Sequence, residues 1–151
     1  MRRGARALAA VIAGAALLTG CGEDTSPPGH KSRLLKAAGA TKFRITCAKD
    51  LWEITKAYRG MDDVTVVSRK GKVYTYELTG SELVAYLEEL NSNGHNAGWA
   101  SDGDPEQAIR MYDAIAPVVD ALGPTPRRDA TIPQVTLDDV VLAPPTPSAK
   151  S

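Results

Sequence analysis

Lys72-Val73-Tyr74-Thr75-Tyr76-Glu77-Leu78-Thr79-Gly80-Ser81-Glu82-Leu83-Val84 changes its period halfway along. Tyr74, Tyr76 and Leu78 alternate with Val73, Thr75 and Glu77. A period of two in β-branched and aromatic residues predicts a strand with Tyr74, Tyr76 and Leu78 on one face. Thr79 and Glu82 then stand three apart, the spacing of a capping box, in which each side chain bonds the other residue's backbone N–H. Behind it Leu83, Val84, Leu87 and Leu90 form an apolar helical stripe with Tyr86 at its edge, while Glu82, Glu88 and Glu89 point away. A strand that passes within one residue into a capped helix is the unit around which the rest is arranged.

Upstream, residues 64–68 are β-rich and lead into Arg69-Lys70-Gly71. With residues 72–78 they predict a hairpin in which Gly71 supplies the positive φ. Phe43, Ile45 and Cys47 alternate with Lys42, Arg44 and Thr46, a further half-buried strand. Asp50 with Glu53 has the spacing of a second capping box, and Leu51, Ile54, Thr55 and Tyr58 fall on one face before Gly60. Residues 32–38 predict a short helix ended by Gly39.

Downstream, residues 91–103 read as a long polar loop. Asp104-Pro105-Glu106-Gln107 then opens a helix with an N-cap, proline at N1 and glutamine at N3. Its stripe is Ile109, Tyr112, Ile115, Ala116, Val119 and Leu122, and Pro117 is expected to kink or end its first part. Residues 131–137 are expected to be an edge strand, because Pro133 cannot donate to a second neighbour. The order predicts an α+β fold, a small antiparallel sheet with about three helices packed on one face.

The N-terminus carries the address. Arg2, Arg3 and Arg6 precede twelve uncharged residues, 7–18. As a helix these reach about 18 Å, short of the roughly 30 Å of a hydrocarbon core. They have the plan of a secretory signal peptide. Leu18-Thr19-Gly20-Cys21 closes the run, and this stretch resembles the lipobox of bacterial lipoproteins. The resemblance implies diacylglyceryl, palmitate-type acylation at Cys21, cleavage before it and a lipid-anchored place on the outer face of the cell membrane. The other reading of Cys21 is a free cysteine behind a plain secretory signal. Tyr76-Glu77-Leu78-Thr79-Gly80-Ser81-Glu82-Leu83 and Met111-Tyr112-Asp113-Ala114-Ile115-Ala116-Pro117 are similar to pieces of uncharacterised secreted actinobacterial proteins, which implies no activity.

The resulting plan is a signal peptide over 1–20, a flexible tether over 21–31, one domain over 32–142 and a disordered tail over 143–151. Without residues 1–20 the chain carries 15 Lys/Arg against 18 Asp/Glu, a net of −3. The charge is divided: residues 31–72 carry 11 basic and 4 acidic groups, residues 73–139 carry 3 and 12. The two halves attract each other within one fold, or a basic face is turned to anionic lipid or wall polymer. No basic stripe with interleaved aromatics is present, which argues against nucleic acid.

Chemistry-bearing residues are few. Cys47 and His95 are the one Cys–His pair beyond Cys21 and the tether's His30, which reads as solvated. A thiol nucleophile needs His95 within reach and Asp102 or Asn96 to orient it, whereas a buried cysteine acts as a small hydrophobe. Glu89, Asn91, Asn93 and Gly94 fall at EF-hand positions 1, 3, 5 and 6, but Ala100 at the twelfth offers no carboxylate. Trp99, with His95 and Asn96 beside it, either plugs the core or anchors a partner, and Tyr74 and Tyr76 are further candidates for the contact surface. The chain has no Gly-x-Ser-x-Gly, phosphate-binding glycine loop, His-Glu-x-x-His or Cys-x-x-Cys, so no cofactor or metal is expected. The expected role is a binding module of the cell envelope whose partner is a protein or wall polymer. Two alternatives stay open: a hydrolase or transferase using Cys47/His95 or loop carboxylates, and a carrier of a small ligand or metal.

Overall fold

A computed structural model of the chain describes residues 25–56, 61, 63–96, 103–123 and 131–137. Cys21, Tyr58, Gly60, Trp99, Ala100, Asp102 and the tail lie outside the described residues. The elements run α1 (His30–Ala38), β1 (Phe43–Ala48), α2 (Lys49–Thr55), β2 (Thr65–Lys70), β3 (Val73–Leu78), α3 (Gly80–Gly94), α4 (Pro105–Asp120) and β4 (Gln134–Thr136).

The fold is α+β, with four strands in the order β2-β3-β1-β4. Gly71 takes φ 61° in the turn between β2 and β3, as the hairpin requires. β1 pairs antiparallel with β3, from Phe43 opposite Leu78 to Ala48 opposite Val73. On its other side β1 pairs parallel with β4, Arg44 beside Gln134 and Thr46 beside Thr136. The sheet is therefore mixed, not purely antiparallel. A parallel neighbour needs a crossover connection, and the hairpin and three helices lie between β1 and β4 in sequence. β4 is an edge strand: the carbonyl of Pro133 accepts from Arg44 N, and Leu137 N donates to Thr46 O.

Phe43, Ile45, Cys47, Tyr76, Leu78 and Val135 all point to one face, where Leu83, Tyr86, Leu87 and Leu90 of α3 and Met111, Tyr112, Ile115 and Val119 of α4 bury against them. The capping box at α3 is complete: Glu82 N donates to Thr79 Oγ1 at 3.3 Å, and Thr79 N donates to Glu82 Oε2 at 2.6 Å. Asp104 Oδ1 accepts from Glu106 N and Gln107 N at the start of α4. Pro117 does not end that helix, which runs on to Asp120. Tyr86, expected at the edge of the stripe, is fully buried.

Helix α2 departs from expectation. Its N-cap is Ala48, without a side-chain bond, and Glu53 pairs with Lys56 instead of closing a box. Leu51, Trp52 and Thr55 are its buried residues, whereas Ile54 is 48% exposed. The indole decides the face. Trp52 stacks on Tyr76 with centroids 4.1 Å apart and lies 5.0 Å from Tyr86, and three large rings bury more surface than an isoleucine would.

α1 packs across α3 and α4. A Cβ at Gly80 would lie 2.6 Å from the carbonyl oxygen of Ala40 and 2.8 Å from those of Ala37 and Ala38. The glycine lets the end of α1 meet the start of α3 backbone to backbone. Among the described residues, no helix is long and apolar enough to cross a membrane.

Candidate functional site

Helix α3 does not stop at Asn91 but continues through Gly94, so the first turn of the expected polar loop is helical. Asn93 Nδ2 donates to Glu89 Oε1 at 2.9 Å, one turn back along the helix, and this uses two of the residues that fell at EF-hand positions. Among the described residues no group of three or more His, Cys, Asp or Glu could hold a metal ion.

The end of α3 instead holds the start of the domain. Asn91, 7% exposed, donates from Nδ2 to Ser26 Oγ at 2.8 Å, and Asn96 Nδ2 donates to the same oxygen at 3.0 Å. Asn96 Oδ1 accepts from Thr25 N at 3.1 Å and from Thr25 Oγ1 at 2.7 Å, and the Thr25 hydroxyl also meets the carbonyl of His95. Residues 25 and 26, expected within a flexible tether, are thus fixed to residues some seventy positions away. Two asparagines near a helix C-terminus are well suited to this, since each amide both donates and accepts.

The contacts continue into α1, which begins at His30 and not at Ser32. His30 is 8% exposed, so the solvated reading is wrong. Its Nδ1 lies 2.7 Å from the hydroxyl of Tyr112, which is itself fully buried. Arg33 Nη1 donates to the same hydroxyl at 3.0 Å. With one lone pair taken by Arg33, every group is satisfied when Tyr112 donates its proton to His30 Nδ1. Arg33 also grips Asp120 through two bonds, Nε to Oδ1 at 3.0 Å and Nη2 to Oδ2 at 2.8 Å. The hydrogen bond from Arg33 holds the Asp120 carboxyl below its usual range, and Asp120 holds the guanidinium above its own.

His95 stands edge-on to the Tyr112 ring, centroids 5.5 Å apart at 76°. Both histidines of the chain therefore flank one tyrosine. Among the described residues, His95 Nε2 and Asn91 Oδ1 are buried without a hydrogen-bond partner. They sit four apart on one helix face. No local signal marks this cluster, because its members come from residues 25–33, 91–96 and 112–120.

The aromatic candidates fall elsewhere. Tyr76 is in the core, against Trp52, and burial pushes its phenol well above the ordinary value. Tyr74 is half-buried, 6.1 Å from the Tyr76 ring, with the Arg69 guanidinium 5.4 Å from its own. Neither forms an open contact face. Cys47 is fully buried on the core side of β1, opposite Tyr74. His95 lies against the Tyr112 ring.

The opposite face of the sheet is mainly polar, with Ala48 and Val73 paired at one end of it. Thr46 and Thr75 join through their hydroxyls at 2.9 Å, and Gln134 Nε2 reaches Thr46 Oγ1 at 3.3 Å, with Thr136 beside it. Next to this row Glu77 accepts from Lys42 and from Arg44, which keep its carboxyl below the usual range. Thr65 and Ser68 extend the face onto β2 and are exposed. The result is a plane of hydroxyl, amide and charged groups in which Gln134 and Thr136 are exposed and Arg44, Thr46, Thr75 and Glu77 are partly buried. The chain matches no protein-family model, no curated protein and no solved structure.

Proposed function

We propose that the protein is an extracytoplasmic lipoprotein, anchored through Cys21, whose domain is a binding module of the cell envelope. The observation that carries this reading is Leu18-Thr19-Gly20-Cys21 behind a short uncharged run and three arginines. Two acyl chains or more give stable attachment where one is marginal. The placement of Cys47 inside the core supports binding over thiol chemistry, since a nucleophile must reach its substrate.

The surface that best fits a partner is the polar sheet face of Thr46, Thr75, Gln134 and Thr136. It takes over the role expected for Tyr74 and Tyr76, which are turned inward. Its hydroxyls and amide can each donate and accept, which suits a hydroxyl-rich wall polymer or a polar protein face. A photo-crosslinker placed at Thr75 or Thr136 in intact cells tests this, with the same group at Lys31 as the control. A protein or wall-polymer adduct from the sheet positions and none from Lys31 supports the reading. Such adducts from Lys31 alone, or in equal yield at all three, contradict it.

A further inference from the structure

Resting on the lipid-anchored reading, we infer that α1 lies against the membrane and fixes how the domain is turned. Four Cα–Cα steps separate Cys21 from Thr25, and at 3.8 Å each they allow at most about 15 Å. Thr25 and Ser26 are fixed to Asn91, His95 and Asn96, so the slack ends there. An eleven-residue free tether would have reached more than twice as far. The anchor therefore holds the first turn of α1, only four residues beyond Ser26, close to the headgroups.

The exposed face of α1 suits that position. Leu35 is 78% exposed, the most open large apolar side chain of the described residues. Lys31, four residues earlier on the same face, is exposed, and so are Ser32 and Ala38. The helix contains Lys31, Arg33 and Lys36 and no acidic residue. Arg33 and Lys36 turn inward to Asp120, which leaves Lys31 and Leu35 outward. A leucine flanked by a lysine on a helix tied to a lipid anchor matches the interface of an anionic bilayer, the apolar chain entering the headgroup layer and the ammonium meeting phosphate. With α1 on the helical side of the domain, the polar sheet face is directed away from the membrane.

The lipidated full chain in vesicles of phosphatidylglycerol and phosphatidylethanolamine provides the test. An environment-sensitive fluorophore is placed on Leu35→Cys or on Val67→Cys, an exposed β2 position, with headgroup-level spin-labelled lipid as quencher. Cys47 is buried and does not compete for the label. Quenching is expected at position 35 and not at position 67. Lys31→Ala should lower the docked-to-undocked ratio about fivefold, the worth of one charge near an anionic surface. Thr25→Ala with Ser26→Ala should reduce quenching at 35 while the chain still floats with the vesicles.

Flotation with equal quenching at both positions would overturn the orientation and leave the anchor standing. Quenching at 35 that is unchanged in purely phosphatidylcholine vesicles would overturn the anionic preference. Shielding of position 35 that disappears at one copy per vesicle would assign the face to a second copy and refute the proposal. A chain that fails to float, with an unmodified Cys21 by mass, would bring down the anchored reading and this inference together.

Discussion

Replacing Tyr112 by phenylalanine removes one oxygen and strips a partner from two other side chains. The hydroxyl is 2.7 Å from His30 Nδ1 and 3.0 Å from Arg33 Nη1, and His30 is nearly closed to water. Arg33 keeps Asp120, but His30 Nδ1 loses the Tyr112 hydroxyl. A buried polar group left unsatisfied costs about 1–3 kcal/mol, and bonds to charged groups are at the upper end. The expected loss is about 2–3 kcal/mol. Tyr86→Phe is the matched comparison, from an equally buried tyrosine. Its partner Thr55 Oγ1 at 2.6 Å can donate instead to the carbonyl of Leu51 at 2.8 Å. That change should cost only about 1 kcal/mol. At about 4 °C per kcal/mol for a domain near this size, calorimetry of the full chain in detergent should show Tm falling by about 8–12 °C for Tyr112→Phe and about 4 °C for Tyr86→Phe. Adding His30→Leu to Tyr112→Phe should restore part of the loss, because the buried ring nitrogen goes with its partner and only Arg33 Nη1 still lacks the hydroxyl. Equal losses for the two tyrosines, or no recovery in the double variant, would refute the reasoning.

Gly80→Ala should destabilise by about 2–3 kcal/mol, because three backbone carbonyls lie within 2.8 Å of the new methyl group and cannot swing aside as a side chain can; chemical denaturation measures it, and a neutral result would mean that α1 and α3 are not in backbone contact. Glu77 and Asp120 have carboxyls held below their unfolded values, so their contribution is present above about pH 5 and lost as pH falls through the folded values; Tm should fall between pH 5 and 3, less steeply in Glu77→Gln, and only modestly because the pairs are partly exposed and screened by salt. The Cys47 thiol should resist a water-soluble disulfide reagent in the native protein and react fully on unfolding, whereas fast native reaction would reopen thiol chemistry.

Much of the fold is legible in the sequence because it is encoded locally. The alternation of Phe43, Ile45 and Cys47, the Thr79–Glu82 box, the Asp104-Pro105 start and the Gly71 turn each need only neighbours within a few positions, and each stands in the structure. The features that depart from the local pattern depend on distant partners. His30 looks solvated until Tyr112, 82 residues away, closes over it. Asn91 looks like the start of a loop until Ser26 takes up its amide. Ile54 and Trp52 compete for the buried side of a seven-residue helix, and the stack on Tyr76 settles it. Tyr74 and Tyr76 lie on one face of their strand, as a period of two predicts, but period alone does not say which face meets the helices. The polar sheet face emerges only once Gln134 and Thr136 are brought beside Arg44 and Thr46 by a parallel pairing.

The lipid-anchored address underlies the proposed function, and the covalent state of Cys21 tests it most directly. Mass spectrometry of the protein isolated from its own membranes should find a mature N-terminus at Cys21 with a diacylglyceryl group on the sulfur, and Cys21→Ser should lose both the modification and cleavage before residue 21. A mature chain with an unmodified thiol at Cys21, or one that begins elsewhere, would contradict the account.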